Sequence, residues 1–136
     1  MYRRVICALD MGRLEHRERL LKRAAALVDD GGEIIVVHVV EGVPSYIVDL
    51  PQAVVTDAVR EAEENFEKLC RRMHVRAVID VRTGKPATGI LAVADERKAD
   101  LIIVGSHIPD MSNYFLGATA DRIVRHAKCS VLVERR

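Results

Sequence analysis

Three short stretches carry the side chains best suited to chemistry. Asp10 closes "VICALD", a carboxylate directly after five apolar residues. Gly105 closes "LIIVG" and is followed by Ser106 and His107. Gly117-Ala118-Thr119 opens an amphipathic run after a loop of mixed character holding Ser112 and Asn113. A carboxylate beyond the end of a strand can accept two hydrogen bonds from a diol such as a ribose. Glycine lets a backbone come close to a ligand, and the free amides of a helix start favour a phosphate. The hydroxyl, amide and imidazole groups add further donors. Together these types describe an anion cradle facing a diol acceptor. Taken singly, each also has a structural role: Asp10 can begin a turn, and Ser106, Ser112, Asn113 and Thr119 can stabilise turns or cap a helix.

Two further positions belong to the same reading. Val39, at the end of "IIVVHVV", can flank a planar base while its backbone reads the base edge, or it can pack in the core. "RTGKP", residues 82–86, has the chemistry of a turn followed by a helix start, with Arg82 and Lys85 as surface charges or as phosphate contacts.

Other function classes have little to stand on. No Walker lysine motif or pair of metal-binding carboxylates occurs, so no catalytic residue is assigned. Asp29-Asp30 falls at a helix end and not after the first strand, where a receiver-type phosphoacceptor would sit. Cys7, His38, His126 and Cys129 lack the spacing of a metal site. A net charge of +1 over 136 residues leaves no surplus to attract nucleic acid. The three cysteines, Cys7, Cys70 and Cys129, are isolated within apolar patterns, as expected of buried thiols in a reducing compartment. The longest N-terminal apolar run is five residues, against about 20 for a bilayer span. A cytoplasmic protein without a membrane segment is expected.

The elements that must position these residues follow from periodicity. Segments 5–9, 34–40 and 101–104 are continuous apolar runs rich in β-branched residues, the pattern of parallel strands covered on both faces. Segments 75–81 and 130–134 are more alternating, as outer strands are. Between them the period changes to about 3.6 residues. One helix is expected over 14–29, ended by Gly31-Gly32. A second starts near Asp49 and Pro51 and buries Val55, Val59, Ala62, Phe66, Leu69 and Met73. A third starts at Pro86, and a fourth near Gly117 buries Ile123, Val124 and Ala127. Strict alternation of strand and helix predicts a single α/β domain over 1–136, with one doubly wound, five-stranded parallel sheet and helices on both faces. In such a sheet the ligand crevice lies where the winding reverses, here between the ends of the first and fourth strands.

In order along the chain, "VICALD", "VVHVVEG", "VRTGKP", "ADLIIVGSH" and "LGATADRIVRHAKCSVLV" resemble the universal stress protein family over its whole length. The resemblance implies a Rossmann-like domain of the adenine nucleotide alpha hydrolase-like kind and a homodimer formed through the last strand. It also implies an adenine nucleotide, ATP or a relative, with or without magnesium. By the same resemblance Asp10 meets the ribose, with Val131 close by, and Ala8 and Val39 meet the adenine. Gly105, Ser106, His107, Gly117, Ala118 and Thr119 meet the phosphates and nearby sugar. The nucleotide-binding branch uses a Gly-x2-Gly-x9-Gly-(Ser/Thr) loop. Here Ile108 replaces the second glycine, the following spacer is one residue shorter, and Ala118 replaces the hydroxyl residue. "GSHIPD…LGA" is similar to a subgroup with this shorter loop. A dimeric interaction module without ATP and a slow ATPase or self-modifying protein are the alternatives within the family.

Overall fold

A computed structural model describes residues 1–41, 52–106 and 116–135. Strands and helices alternate along them: β1 (Tyr2–Ala8), α1 (Leu14–Leu27), β2 (Val28–Val40), α2 (Gln52–Met73), β3 (Val78–Thr83), α3 (Pro86–Arg97), β4 (Leu101–Gly105), α4 (Ala118–His126) and β5 (Ser130–Glu134). The strands form one parallel sheet in the order β3-β2-β1-β4-β5. The chain winds from β1 outward to β3, then crosses to the other side of β1 to build β4 and β5. Because right-handed crossovers in opposite directions lie on opposite faces, the helices form two layers.

Strand alternation divides the core between those layers. Val5, Cys7 and Leu9 pack with Leu20, Leu21 and Ala24 of α1 and Ala62, Phe66 and Leu69 of α2. Ile6 and Ala8 face the other way, toward Ala87, Ile90 and Val93 of α3 and Ala120 and Ile123 of α4. A strand covered on both faces needs apolar side chains at every position, which accounts for the unbroken runs at 5–9, 34–40 and 101–104. Cys7 and Cys70 lie in the α1–α2 layer and all three thiols are free. Burial pushes each thiol's pKa up, most of all that of Cys7, to which Cys70 adds a second, smaller push. Such thiols are poor nucleophiles.

Several boundaries differ from expectation. The first helix stops at Leu27, and Val28 is already extended (φ −72°, ψ 139°), its N–H bonding the carbonyl of Ala24. Val28 pairs with Tyr2 and opens β2, so a β-branched residue gains a strand partner where two more helical residues were expected. Gly31 (φ 79°) and Gly32 therefore do not end a helix. They lie in a bulge, since the register moves from Tyr2↔Val28 to Arg4↔Glu33. A Cβ on Gly32 would stand 2.8 Å from the Arg3 carbonyl oxygen. β3 starts at Val78 and runs to Thr83 because α2 ends in a Schellman turn: Val75 N–H bonds Cys70 O at 2.9 Å and His74 is left-handed. α4 buries Ile123 as expected and Ala127 partly, but Val124 is 47% exposed and Ala120 is buried in its place. The expected α2 start at Asp49 and Pro51 lies outside the described residues. Among the described residues no helix is long and apolar enough to cross a membrane.

Two polar clamps hold the ends of β1. At its start, the Asp100 carboxylate accepts the N–H groups of Arg3 (2.9 Å) and Arg4 (3.0 Å), while the Asp100 N–H bonds the Arg4 carbonyl at 3.0 Å. At its far end, Leu9 N–H bonds Val37 O at 3.0 Å. The Leu9 carbonyl is 2.9 Å from Nδ1 of His38, which must donate because a carbonyl only accepts. The His38 ring is tilted 59° against Phe66 with centroids 5.4 Å apart.

Each clamp gives a measurable consequence. Burial raises the Asp100 pKa and is the largest single influence, but the backbone N–H groups of Arg3, Arg4 and Asp100 itself, with the terminal ammonium, together outweigh it, so the net value lies below the ordinary aspartate value. A depressed native pKa contributes stability above the unfolded-state pKa and loses it as pH falls through the native one. Asp100→Asn is therefore expected to lower the melting temperature at pH 7, with the difference from the parent shrinking steadily below pH 4 (about the ordinary aspartate pKa). An equal difference at both ends would overturn the clamp. His38→Phe, which keeps the ring but strands the Leu9 carbonyl, is expected to cost about 1–3 kcal/mol in urea unfolding. His38→Ala is expected to cost more, because a cavity beside Phe66 is added.

Candidate functional site

The crevice arises from the register of three strands. β4 pairs with β1 only from Val5↔Leu101 to Cys7↔Ile103. Beyond that point β1 continues beside β2 to Ala8↔Val37, while β4 continues beside β5 to Gly105↔Glu134. Ser106 N–H prolongs the second pairing by bonding Glu134 O at 2.9 Å. The strands thus part after Cys7 and Ile103. Ala8, Leu9 and Asp10 stand on one side of the gap, Val104, Gly105 and Ser106 on the other. This is the point of winding reversal, where doubly wound sheets hold their ligands.

Asp10 is exposed, and its Oδ1 accepts the Gly12 N–H at 2.9 Å. This turn bond is the structural role that its sequence context allowed. It leaves Oδ2 without a partner among the described residues, on a carboxylate fixed in place by Leu9 and the turn. Gly12 belongs to the same device, because a Cβ there would come 2.8 Å from Oδ1.

Gly105 has a reason to be glycine that its sequence context did not reveal. Leu101 and Ile103 face the α1–α2 layer, so residue 105 faces it too. There it meets His16, in the first turn of α1: a Cβ on Gly105 would lie 2.2 Å from His16 Nε2 and 2.8 Å from Cε1. The close approach seen at Gly105 is thus that of an imidazole on the side of α1. A sequence signal for it did exist, since His16 precedes Leu20 and Ala24 at steps of four, and both are buried on the face that packs on the sheet.

On the opposite wall, α4 starts with an extended Gly117 (φ −62°, ψ 157°) that caps with no side-chain hydrogen bond. The N–H groups of Ala118, Thr119 and Ala120 precede the first intrahelical bond, which runs from Asp121 N–H to Gly117 O at 2.9 Å. Ala118 is exposed, Thr119 half-buried and Ala120 buried. Asp121 lies in this turn, but its carboxylate pairs with Arg125 one turn on, 3.1 Å away.

The apolar residues separate. Ala8 and Val39 are buried in the α3–α4 layer. Val39 is pressed against α3, where a Cβ on Gly89 would fall 2.6 Å from its Cγ2. Val131 borders the same layer but pairs with Ile102, three rungs below the Gly105↔Glu134 pair, about 10 Å from the mouth. Arg82 is not brought to the crevice. It lies on β3, two strands from β1, and its guanidinium pairs with Asp80 (3.0 Å) and Glu96 (2.5 Å). Its bond to Arg82 holds the Glu96 carboxyl below the usual range. Lys85 precedes α3 at the same outer strand. His107, Ile108, Pro109, Ser112 and Asn113 lie outside the described residues.

Comparison with known proteins agrees with this architecture. The model of the universal stress protein family matches residues 1–135. Universal stress protein G of Escherichia coli O157:H7 is 29% identical over 142 residues, covering 99% of this chain and all of that one. Among solved structures, hypothetical protein MJ0577 aligns with a TM-score of 0.82 at 22% identity, covering 100% of this chain and 97% of that one. A universal stress protein in complex with cAMP aligns with a TM-score of 0.70 at 20% identity, over 98% and 97% of the two chains. A family member from Arabidopsis thaliana with AMP bound aligns at 0.64 and 18% identity, over 98% and 91%. At these identities the solved structures speak to the fold, and the match of the family model over nearly every residue speaks to descent. With its doubly wound sheet, reversal at β1/β4 and uncapped α4 start, this chain belongs to the universal stress protein family.

Proposed function

We propose that this chain is a regulatory protein of the cytoplasmic stress response that binds an adenine nucleotide, ATP or a close relative, between the ends of β1 and β4. The observation that carries the reading is that two complementary features stand at the same end of the sheet: beyond β1, a carboxylate whose Oδ2 has no partner among the described residues, and beyond β4, an α4 start whose amides lack a side-chain cap. That is the polarity of a nucleoside phosphate, with a diol at one end and an anion at the other. Family members of this fold have been solved with cAMP and with AMP, which supports the same ligand class here.

In this reading Asp10 accepts the ribose hydroxyls. Ala8 and Val39 supply the apolar floor beneath the adenine, with the Val39 backbone reading its edge, and Val131 supports that layer from below. Gly105 and Ser106 line the path of the sugar and phosphates, and Gly117, Ala118 and Thr119 offer backbone amides to the phosphates. The Thr119 hydroxyl takes the place of the one missing at Ala118. A magnesium ion would be held chiefly by phosphate oxygens and water. Binding itself shifts the protein between states, so no turnover is required.

The protein acts as a homodimer through β5. Among the described residues β5 pairs with β4 alone, and Val131, Leu132 and Val133 remain half-buried along it. A free apolar edge of this kind needs a cover, and a second copy of the same strand supplies one.

Denaturing the purified protein and weighing any released small molecule is the direct test, with an adenine nucleotide as the expected product. In a thermal titration, ATP at 100 times its Kd is expected to add about 2.7 kcal/mol, a rise of roughly 10 °C in melting temperature. Asp10→Ala is expected to weaken the affinity about tenfold, and Thr119→Ala by a smaller factor, in calorimetry. No shift with millimolar ATP, ADP, AMP or cAMP, and no released nucleotide, would favour a dimeric interaction module of the same fold.

A further inference from the structure

The contact between His16 and Gly105 lies on the far side of β4 from the buried Ala8 and Val39, so the imidazole backs the crevice wall without lining it. It meets the last residue of β4, immediately before Ser106, where the chain leaves the sheet. A Cβ at 105 would lie 2.2 Å from Nε2, well inside any real carbon contact, so a side chain larger than hydrogen has to displace the ring from this seat. His16 is itself carried on the first turn of α1, whose backbone is set by bonds from His16 N–H and Arg17 N–H to the Arg13 carbonyl, both 3.2 Å. That turn follows the Asp10–Gly12 turn directly. One continuous segment, residues 10–17, therefore bears both the carboxylate on one side of the gap and the ring that abuts the other side.

From this juxtaposition we propose that His16 is a positioning residue: its ring, seated on Gly105, sets the separation between Asp10 and the β4 exit and so sets nucleotide affinity. The proposal rests on the nucleotide reading and deepens it, adding a residue that touches the ligand's wall and not the ligand. It also assigns Gly105 a packing role in addition to its backbone role. A glycine is what lets the ring at position 16 keep this seat.

The test is a double-mutant cycle read by calorimetry with ATP and by melting temperature, on the parent, His16→Ala, Gly105→Ala and the double variant. His16→Ala is expected to weaken affinity about tenfold while the protein stays folded, since the wall behind Gly105 is lost. Gly105→Ala is expected to weaken it at least as much, because ring and methyl collide. In the double variant the methyl occupies part of the vacated space, so affinity should recover to within about threefold of the parent. A purely structural role would lower melting temperature without altering the affinity of the folded protein. Parent-like affinity in His16→Ala, or a double variant whose loss is the product of the two single losses, overturns the proposal. Should Gly105→Ala fail to fold, the affinity of His16→Ala alone decides. A parent protein that binds no adenine nucleotide overturns the functional reading and this one with it, whereas a parent that binds and a His16→Ala that binds equally overturns only this one.

Discussion

The two-sided parallel pairing of β1 is the constraint on which the rest of the molecule depends. Val5, Ile6 and Cys7 hydrogen-bond to both β2 and β4, and none of the three is exposed. A strand so placed cannot carry a charge or a proline without leaving a ladder group or an ion buried. Its clamps lie just outside this segment, with Asp100 at the start and His38 at the Leu9 carbonyl. Because β2 continues beyond Cys7 while β4 turns to follow β5, the same strand that anchors the core also creates the gap at its end.

The gap inherits its chemistry from position. Residues beyond the last shared pair no longer need to be apolar, so the first charged residue after the run, Asp10, stands at the mouth and can spend one oxygen on its own turn. The helix that returns over the α3–α4 layer must begin at the same end of the sheet. Its uncapped amides are therefore brought to the same end of the sheet as Asp10 by topology, without any local motif that names the pair. The second crossover layer explains why Val39 is taken up by packing against α3. It also explains why Arg82, on the outermost strand, is free to join Asp80 and Glu96 instead.

Boundaries and neighbours proved harder to foresee than element types. Gly31-Gly32 has the composition of a helix stop, yet Val28 gains a strand partner in Tyr2 and the glycines are used in a bulge. Val124 fits an apolar period but faces outward, because a helix of nine residues buries one narrow stripe. Both are choices between comparable local energies that a partner distant in sequence decides.

What the sequence by itself determined is what depends on periodicity and chain order. Unbroken apolar runs require strands covered on both faces, their alternation with helical periods requires a doubly wound parallel sheet, and the winding rule then locates the crevice between Asp10 and Gly105. Tertiary structure alone decided which residues share space around the ends of β1 and β4. His16 and Gly105 are 89 positions apart and His38 and Leu9 are 29 apart, and no local pattern relates either pair. Only the packing of α1 against β4, and of β2 against the end of β1, puts a ring within reach of a bare Cα or a carbonyl. Contacts of that kind follow from the three-dimensional path of the backbone, which periodicity specifies to the level of faces and ends but not of individual atoms.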